Sequence, residues 1–340
     1  MSSSRLRHVD DKTAGITRKR AGHGWAYFAS SGERITNRDE IDRLNAIALP
    51  PAYTNAWYCP FANGHIQATG IDARGRKQYR YHVDFRAAQE ADKYERCADF
   101  GRALPKLRAK VDADLAGRKL ARDTVIAAVV RLLDLGHIRV GNEAYAKENK
   151  SFGATTLRNR HAKVTGGKLR LEYIGKSGKK QRLTIEDRRL AAIVRRTQDL
   201  PGQHLFEYLD DDGAPQPVGS AEVNDYIRDA TGGDFTAKHF RTWGASLLAF
   251  EHILSTAKDG RPGLKAMLEA VAAALGNTPA ISRKSYVHPA LIELCRGGDA
   301  SELCTLKLPR ATQWLDSHER ALIAFLDELA KEGKKQAKAA

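Results

Sequence analysis

Five residues of this chain have the types and settings to break and remake a phosphodiester bond: Arg139 in HIRVGNEAYAKEN, Lys176 in YIGKSGKK, Arg241 in AKHFRTWG, and Asn277 and Tyr286 in LGNTPAISRKSY. A protein hydroxyl attacking a phosphodiester needs donors for the charge that grows on the non-bridging oxygens and an acid for the departing sugar oxygen. Tyrosine, with a phenol pKa of about 10, is a usable nucleophile and a tolerable leaving group when the strand is rejoined. Arginine's planar fork donates to phosphate oxygens in pairs and stays charged at any working pH. A lysine ammonium gives up its proton readily when partly desolvated beside other cations. An asparagine amide can donate to a phosphate oxygen but cannot become cationic.

The elements that must position these residues follow from periodicity and punctuation. The helix before Arg139 has an apolar face that includes Ile126, Val130 and Leu133, with Asp123 or Thr124 as its cap and Gly136 as its stop. Around Lys176, residues 162–187 alternate apolar and polar across the turns Gly166-Gly167 and Gly175-Lys176-Ser177-Gly178. That pattern predicts a three-stranded antiparallel meander with Lys176 at a hairpin tip. Helices are expected at residues 186–197, 220–230, 236–254 and 263–275, the last stopped by Gly276 just before Asn277. Asn277 and Tyr286 are then held by the end of one helix and the start of the next.

The first ninety or so residues differ in character. Short apolar and aromatic runs such as GHGWAYFAS, YTNAWYCPF and KQYRYHVDF lie among Gly and Pro, with Asn63-Gly64 as a turn signal, and they read as a strand-rich domain. After about Phe85 the sequence takes on helical periodicity with alternating charge, so the boundary is placed between residues 1–89 and 90–340. The fold class is therefore α+β: a small β-rich domain followed by a larger, mainly helical one containing the meander. No internal repeat is evident.

Composition fits a polyphosphate partner. Fifty-six Lys and Arg against 41 Asp and Glu leave a formal charge of +15, which favours nucleic acid through counterion release. Cys59, Cys97, Cys295 and Cys304 include no C-x-x-C pair, so they imply neither zinc nor a disulfide framework. No His or carboxylate pair has metal-ligand spacing. GIDARGRK approaches a phosphate loop but lacks its G-K-[ST] end, which argues against an ATP site. The polar N-terminus lacks the apolar run of a signal peptide, and no stretch reaches membrane-spanning length. A soluble, intracellular protein with a solvated basic tail, KEGKKQAKAA, is expected.

Taken singly, each chemical candidate suits an ordinary place. Tyr286 could be a half-buried helix tyrosine, Lys176 a soluble hairpin tip, Arg139 and Arg241 surface charges, and Asn277 a helix terminator. Together, in this order and with these flanks, the five resemble the active site of the type IB DNA topoisomerases of the compact poxvirus and bacterial kind. The resemblance covers residues 15–291. It implies that Arg139, in R-x-G-x-x-x-Y, and Arg241, in K-x-x-R-T, contact the scissile phosphate. By the same resemblance Lys176 is the acid to the 5′ hydroxyl and Tyr286 carries a 3′-phosphotyrosyl bond. Lys238 matches a further phosphate-contacting lysine and Tyr145 a DNA-contacting tyrosine.

GRKQYRYH resembles the family's DNA-facing segment, which puts Gln78, Tyr79 and Tyr81 on DNA. In a strand, however, Gln78 faces away from Tyr79 and Tyr81, so some of these contacts are expected at a bend or loop. The family further implies a monomeric clamp around double-stranded DNA, with no ATP and no obligatory metal, in the bacterial cytoplasm at the nucleoid. Two departures stand out: Asn277 occupies a position where many relatives have histidine, and Asn142 replaces a lysine of the poxvirus enzymes. A tyrosine recombinase shares the catalytic logic but usually has histidine where this chain has Lys238, and a helical domain in place of the β-rich one. A non-catalytic DNA-binding clamp would keep the charge without needing Tyr286.

Overall fold

The structure is a computed structural model that describes residues 5–117, 119–257, 263–297 and 306–339. Backbone contacts divide the chain into two compact units, residues 1–93 and 94–340. The division falls four residues beyond the boundary read at 89/90, inside a long helix, α2 (Val83–Leu115), that starts in the first unit and ends in the second.

The first unit holds a hairpin of β1 (Thr17–Ala21) and β2 (Gly24–Phe28) and an antiparallel sheet of β3 (Thr54–Tyr58), β4 (Ile66–Ile71) and β5 (Lys77–Tyr81). Ile16, Tyr27, Leu44, Leu49, Tyr58 and Ala68 form its core. The strand-rich reading omits one helix, α1 (Arg38–Ala46). Its start has a local signature, since the Asn37 side chain accepts from the Glu40 N–H at 2.9 Å and acidic residues fill the first turn.

The second unit is mainly helical around one large core. At its centre lies α3 (Arg122–Gly136), apolar on nearly every face because it is surrounded. The expected capping is corrected here. Asp123 and Thr124 lie inside the first turn, and the N-cap is Ala121, without a side-chain bond. The stop is His137, in the left-handed conformation with φ of 48°. Gly136 is the last helical residue, and close packing accounts for it: a Cβ there would stand 3.0 Å from Leu183 Cδ1.

After α4 (Glu143–Asn149) comes the meander of β6 (Ala162–Thr165), β7 (Lys168–Ile174) and β8 (Lys180–Glu186), antiparallel in sequence order as expected. On β7 the alternation is complete: Leu169, Leu171 and Tyr173 enter the core while Lys168, Arg170, Glu172 and Ile174 face out.

The expected helices are present as α5 (Arg188–Gln198), α6 (Ser220–Thr231), α7 (Ala237–Ala257) and α8 (Leu264–Leu275). Between α8 and the next long stretch lies a short helix, α9 (Pro279–Ser285), capped by Thr278 and begun by Pro279. This corrects the placement of Tyr286, which ends α9 and does not begin a helix. After α10 (Pro289–Arg296) comes α11 (Ser317–Ala339), whose last turns hold the basic tail as helix, with Lys331, Glu332, Gly333 and Lys335 exposed. Cys59, Cys97 and Cys295 are in no disulfide, and Cys304 lies outside the described residues.

A buried ion network ties α11 to the centre of this unit. Arg108 on α2 forms a fork with Asp134 on α3, at 2.8 and 2.9 Å, and with Glu319 on α11, at 2.7 and 2.8 Å. Glu319 also accepts from Trp243 Nε1 on α7 at 3.3 Å and closes a capping box with Asp316.

Candidate active site

Four of the five predicted residues line one open cleft, Arg139, Lys176, Arg241 and Tyr286, and Tyr145 and Lys238 line it too. The fifth, Asn277, joins through Arg139, whose Nη2 donates to Asn277 Oδ1 at 2.8 Å. All five therefore belong to one constellation, although they come from the turn after α3, the β7–β8 hairpin, α7 and the two ends of α9.

Arg241 is the buried member, 4% exposed. It donates through Nη1 to the His137 carbonyl and through Nη2 to the Leu275 carbonyl at 3.2 Å, while Nε is buried without a hydrogen-bond partner. The left-handed turn at His137 thus aims a carbonyl at Arg241 while leading the chain into Arg139. Desolvation and the neighbouring charge of Arg139 lower the pKa of Arg241. Such a pair of adjacent cations has a ready use for an anionic ligand between them.

Tyr286 is half-buried, with the Arg241 guanidinium carbon 4.7 Å from its ring centroid. Burial pushes its phenol pKa up, yet the charges of Arg241 and Arg139 and their hydrogen bonds to the phenol outweigh burial and leave it below the ordinary tyrosine value. Tyr173, buried beneath the same arginines, goes the other way, with desolvation raising it to about 12. Proximity to the two cations does not by itself make a tyrosine acidic. Tyr173 is buried and Tyr286 only half-buried, so the two guanidinium groups outweigh desolvation at Tyr286 and not at Tyr173.

Asn277 offers the complementary feature. With Oδ1 held by Arg139, its Nδ2 is buried and has no hydrogen-bond partner. An orphaned buried donor costs about 1–3 kcal/mol, and beside two arginines it is a donor awaiting an acceptor such as a phosphate oxygen. Lys176 is exposed at the hairpin tip, in a loop closed by the Gly175 N–H bonding the Lys179 carbonyl at 2.7 Å.

The accessory residues divide. Lys238 is exposed, one turn before Arg241 on α7. Tyr145 is half-buried on α4, whose N-cap is Asn142, its Oδ1 accepting from the Tyr145 N–H at 3.0 Å. The departure at position 142 thus has a local structural use. In the first unit, Tyr79 and Tyr81 are 42% and 41% exposed and their rings stack with centroids 5.8 Å apart. Gln78 points to the opposite face, where its amide donates to Asp72 at 3.0 Å. The segment is a strand throughout, with no bend within β5 to bring Gln78 onto the tyrosine face.

Residues the sequence reading passed over also shape the site. His137 was invisible as a lone histidine beside a glycine, the usual left-handed residue. Ser246, fully buried on α7, accepts from the His288 N–H at 3.1 Å and donates to the Tyr286 carbonyl at 3.5 Å, bracketing the backbone of Tyr286. Lys179, just past the hairpin tip, donates to the Asn277 carbonyl at 3.0 Å. Among the described residues no group of three or more His, Cys, Asp or Glu side chains is placed to hold a metal ion, and no helix is long and apolar enough to cross a membrane.

Comparison with known proteins bears on the same residues. Residues 82–295 match the family described as eukaryotic DNA topoisomerase I, catalytic core, and residues 24–72 match bacterial DNA topoisomerase IB, N-terminal domain. DNA topoisomerase 1B of Acanthamoeba polyphaga mimivirus is 34% identical over 293 residues, covering 82% of this chain and 87% of the relative. DNA topoisomerase 1B of Vaccinia virus (strain Copenhagen) is 21% identical over 239 residues, covering 67% and 71%. Among solved structures, XerH site-specific recombinase bound to palindromic difH substrate aligns over 54% of this chain and 47% of that one. Its identity is 15% and its TM-score 0.36, a likeness too slight to bear on function. The catalytic-core match spans every residue of the cleft, the N-terminal match falls on the β-rich unit ahead of it, and the chain accordingly belongs to the type IB DNA topoisomerases.

Proposed function

We propose that this protein relaxes supercoiled duplex DNA by cutting and resealing one strand through a 3′-phosphotyrosyl intermediate. The observation that carries the reading is the placing of Tyr286: a half-buried phenol whose ring lies 4.7 Å from the Arg241 guanidinium carbon, in a cleft it shares with Arg139 and Lys176. Tyr286 releases its phenol proton to water in the open cleft and its Oη attacks the phosphorus, while Arg139, Arg241 and the Asn277 amide donate to the non-bridging oxygens, where negative charge grows. Lys176 delivers a proton to the departing 5′ oxygen. The phosphotyrosyl ester conserves the energy of the broken bond, the free 5′ end turns about the intact strand, and the 5′ hydroxyl reverses the attack. No nucleotide is consumed, and no metal ion is obligatory for this sequence of steps.

Lys238 and Tyr145, at the rim of the cleft, contact backbone phosphates, and Tyr79 and Tyr81 present the DNA-facing side of the β-rich unit. Gln78 reaches DNA only by exchanging its bond to Asp72. The working form is a monomer closing around duplex DNA in the bacterial cytoplasm at the nucleoid, a setting supported by the match to the bacterial N-terminal domain. The test is a supercoiled plasmid lacking recombination sites, incubated with wild-type protein and with Tyr286→Phe. Relaxation and a covalent protein–DNA adduct are expected from the first and neither from the second. An adduct without relaxation would point to a recombinase, and binding without either would leave only a clamp.

A further inference from the structure

The loop that carries Lys176 has little to hold it. Ser177 and Gly178 take left-handed conformations, with φ of 65° and 73°, and residues 176–178 are exposed. Lys179 is different. It is half-buried between exposed neighbours, and its ammonium donates to the main-chain oxygen of Asn277 at 3.0 Å. Lys180, next along the strand, turns to the other face and pairs with Glu172. Behind Lys179, Gln181 fills space that two glycines leave open. A Cβ on Gly276 would stand 1.9 Å from Gln181 Oε1, and one on Gly175 would stand 2.9 Å from Gln181 Cγ. The hairpin is thereby seated on the turn between α8 and α9, whose left-handed Gly276 sets up Asn277.

We propose that Lys179 is a positioning residue, a fastener that holds the hairpin tip on the Asn277 turn and so keeps Lys176 where the departing 5′ oxygen stands. This rests on the reading of Lys176 as the acid. Lys179 is not among the residues lining the cleft, so its effect runs through the loop. Proton transfer requires hydrogen-bond distance, and a tip free to swing away lowers the fraction of time the acid is in place. A charged donor on a neutral carbonyl makes a strong but exchangeable bond.

Lys179→Met keeps the aliphatic stem and removes the donor, and Lys179→Arg restores a donor. Two measurements test the proposal. In hydrogen exchange on the free protein, peptides covering residues 174–180 should exchange faster in Lys179→Met by about tenfold or more, and near the wild-type rate in Lys179→Arg. In single-turnover cleavage, Lys179→Met should be slower on ordinary DNA by about tenfold or more, yet within about threefold of wild type on a strand whose 5′ bridging oxygen is sulfur, since a thiolate leaves without an acid. DNA affinity should be unchanged and Lys179→Arg should recover most of the lost rate. Unchanged exchange overturns the fastener, and equal cleavage defects on the two substrates, or none, overturn its link to the acid. Lys176→Ala serves as the control: if sulfur fails to rescue it, the reading of Lys176 itself fails, while the exchange result still decides whether Lys179 holds the loop.

Discussion

Arg139 Nη2 meets Asn277 Oδ1 at 2.8 Å, and because a guanidinium can only donate, that contact fixes the amide with its Nδ2 turned the other way, buried and unpartnered. The orientation gives position 277 a graded set of expected outcomes. Asn277→Ala should slow cleavage by about ten- to two-hundredfold, the loss of one neutral hydrogen bond to a non-bridging oxygen. Asn277→Asp keeps an acceptor for Arg139 but turns an anion toward the phosphate, so it should be slower than Asn277→Ala despite its closer shape. Asn277→His should retain much of the rate. Single-turnover cleavage of one oligonucleotide duplex by the three variants checks the order, and an Asp variant faster than the Ala variant would remove Asn277 from the phosphate.

The lowered pKa of Tyr286 has a definite sign. As pH rises, this phenol should lose its proton below the ordinary tyrosine range, and well before Tyr58 and Tyr173, both raised by burial to about 12. Ultraviolet difference titration of the free protein should show an early tyrosinate phase that is absent in Tyr286→Phe. Arg241→Gln should move that phase to higher pH. In the wild type, kcat/KM for adduct formation should climb with pH and level off once this phase is complete.

Glu319 should matter for stability far from any substrate. Glu319→Ala leaves Arg108 with Asp134 as its one carboxylate, beside the Trp314 carbonyl, and takes the acceptor from Trp243 Nε1, at a cost of about 3 kcal/mol or more. Glu319→Gln, which keeps acceptor capacity, should cost less. Denaturant unfolding of the whole chain measures both, and an unchanged midpoint in Glu319→Ala would show that the network is dispensable.

Lys238 should act through charge alone. Lys238→Ala should weaken DNA binding with little regard to sequence and reduce the slope of log affinity against log salt by about one. Fluorescence anisotropy across a salt series is the check, and an unaltered slope would leave Lys238 off the phosphates.

What was legible in the sequence was whatever has a local period or a local signature. Leu169, Leu171 and Tyr173 announced the inward face of β7 by alternation, and the amphipathic stripes of α5 and α6 announced themselves by spacing. The site residues were readable because each sits in a distinctive short context. Contacts between distant segments were not. Nothing around Arg108 foretells a carboxylate 211 positions away, and nothing around Lys179 foretells the carbonyl of Asn277. His137 illustrates a subtler failure. Left-handed stops favour glycine, and a glycine stands beside it, so the rule picked Gly136. Packing against Leu183 had already claimed that glycine, and the strain moved one residue on, to the place where the carbonyl could meet Arg241. Tyr286 was misplaced because a proline-initiated helix of seven residues is too short to show a period.

The link between Glu319 and the centre of the second unit also has a meaning in time. A chain is made from its N-terminus, so Arg108, Asp134 and Trp243 leave the ribosome well before the carboxylate that joins them. By then every side chain of the cleft has already emerged. A chain that stalls before residue 319 therefore carries Tyr286 and both arginines on an unfinished support, with Arg108 lacking one of its two buried carboxylates. Completion of the support falls to the last helix. An enzyme whose error is a DNA strand cut and never resealed thereby gains full order only after every residue of its cleft has been made.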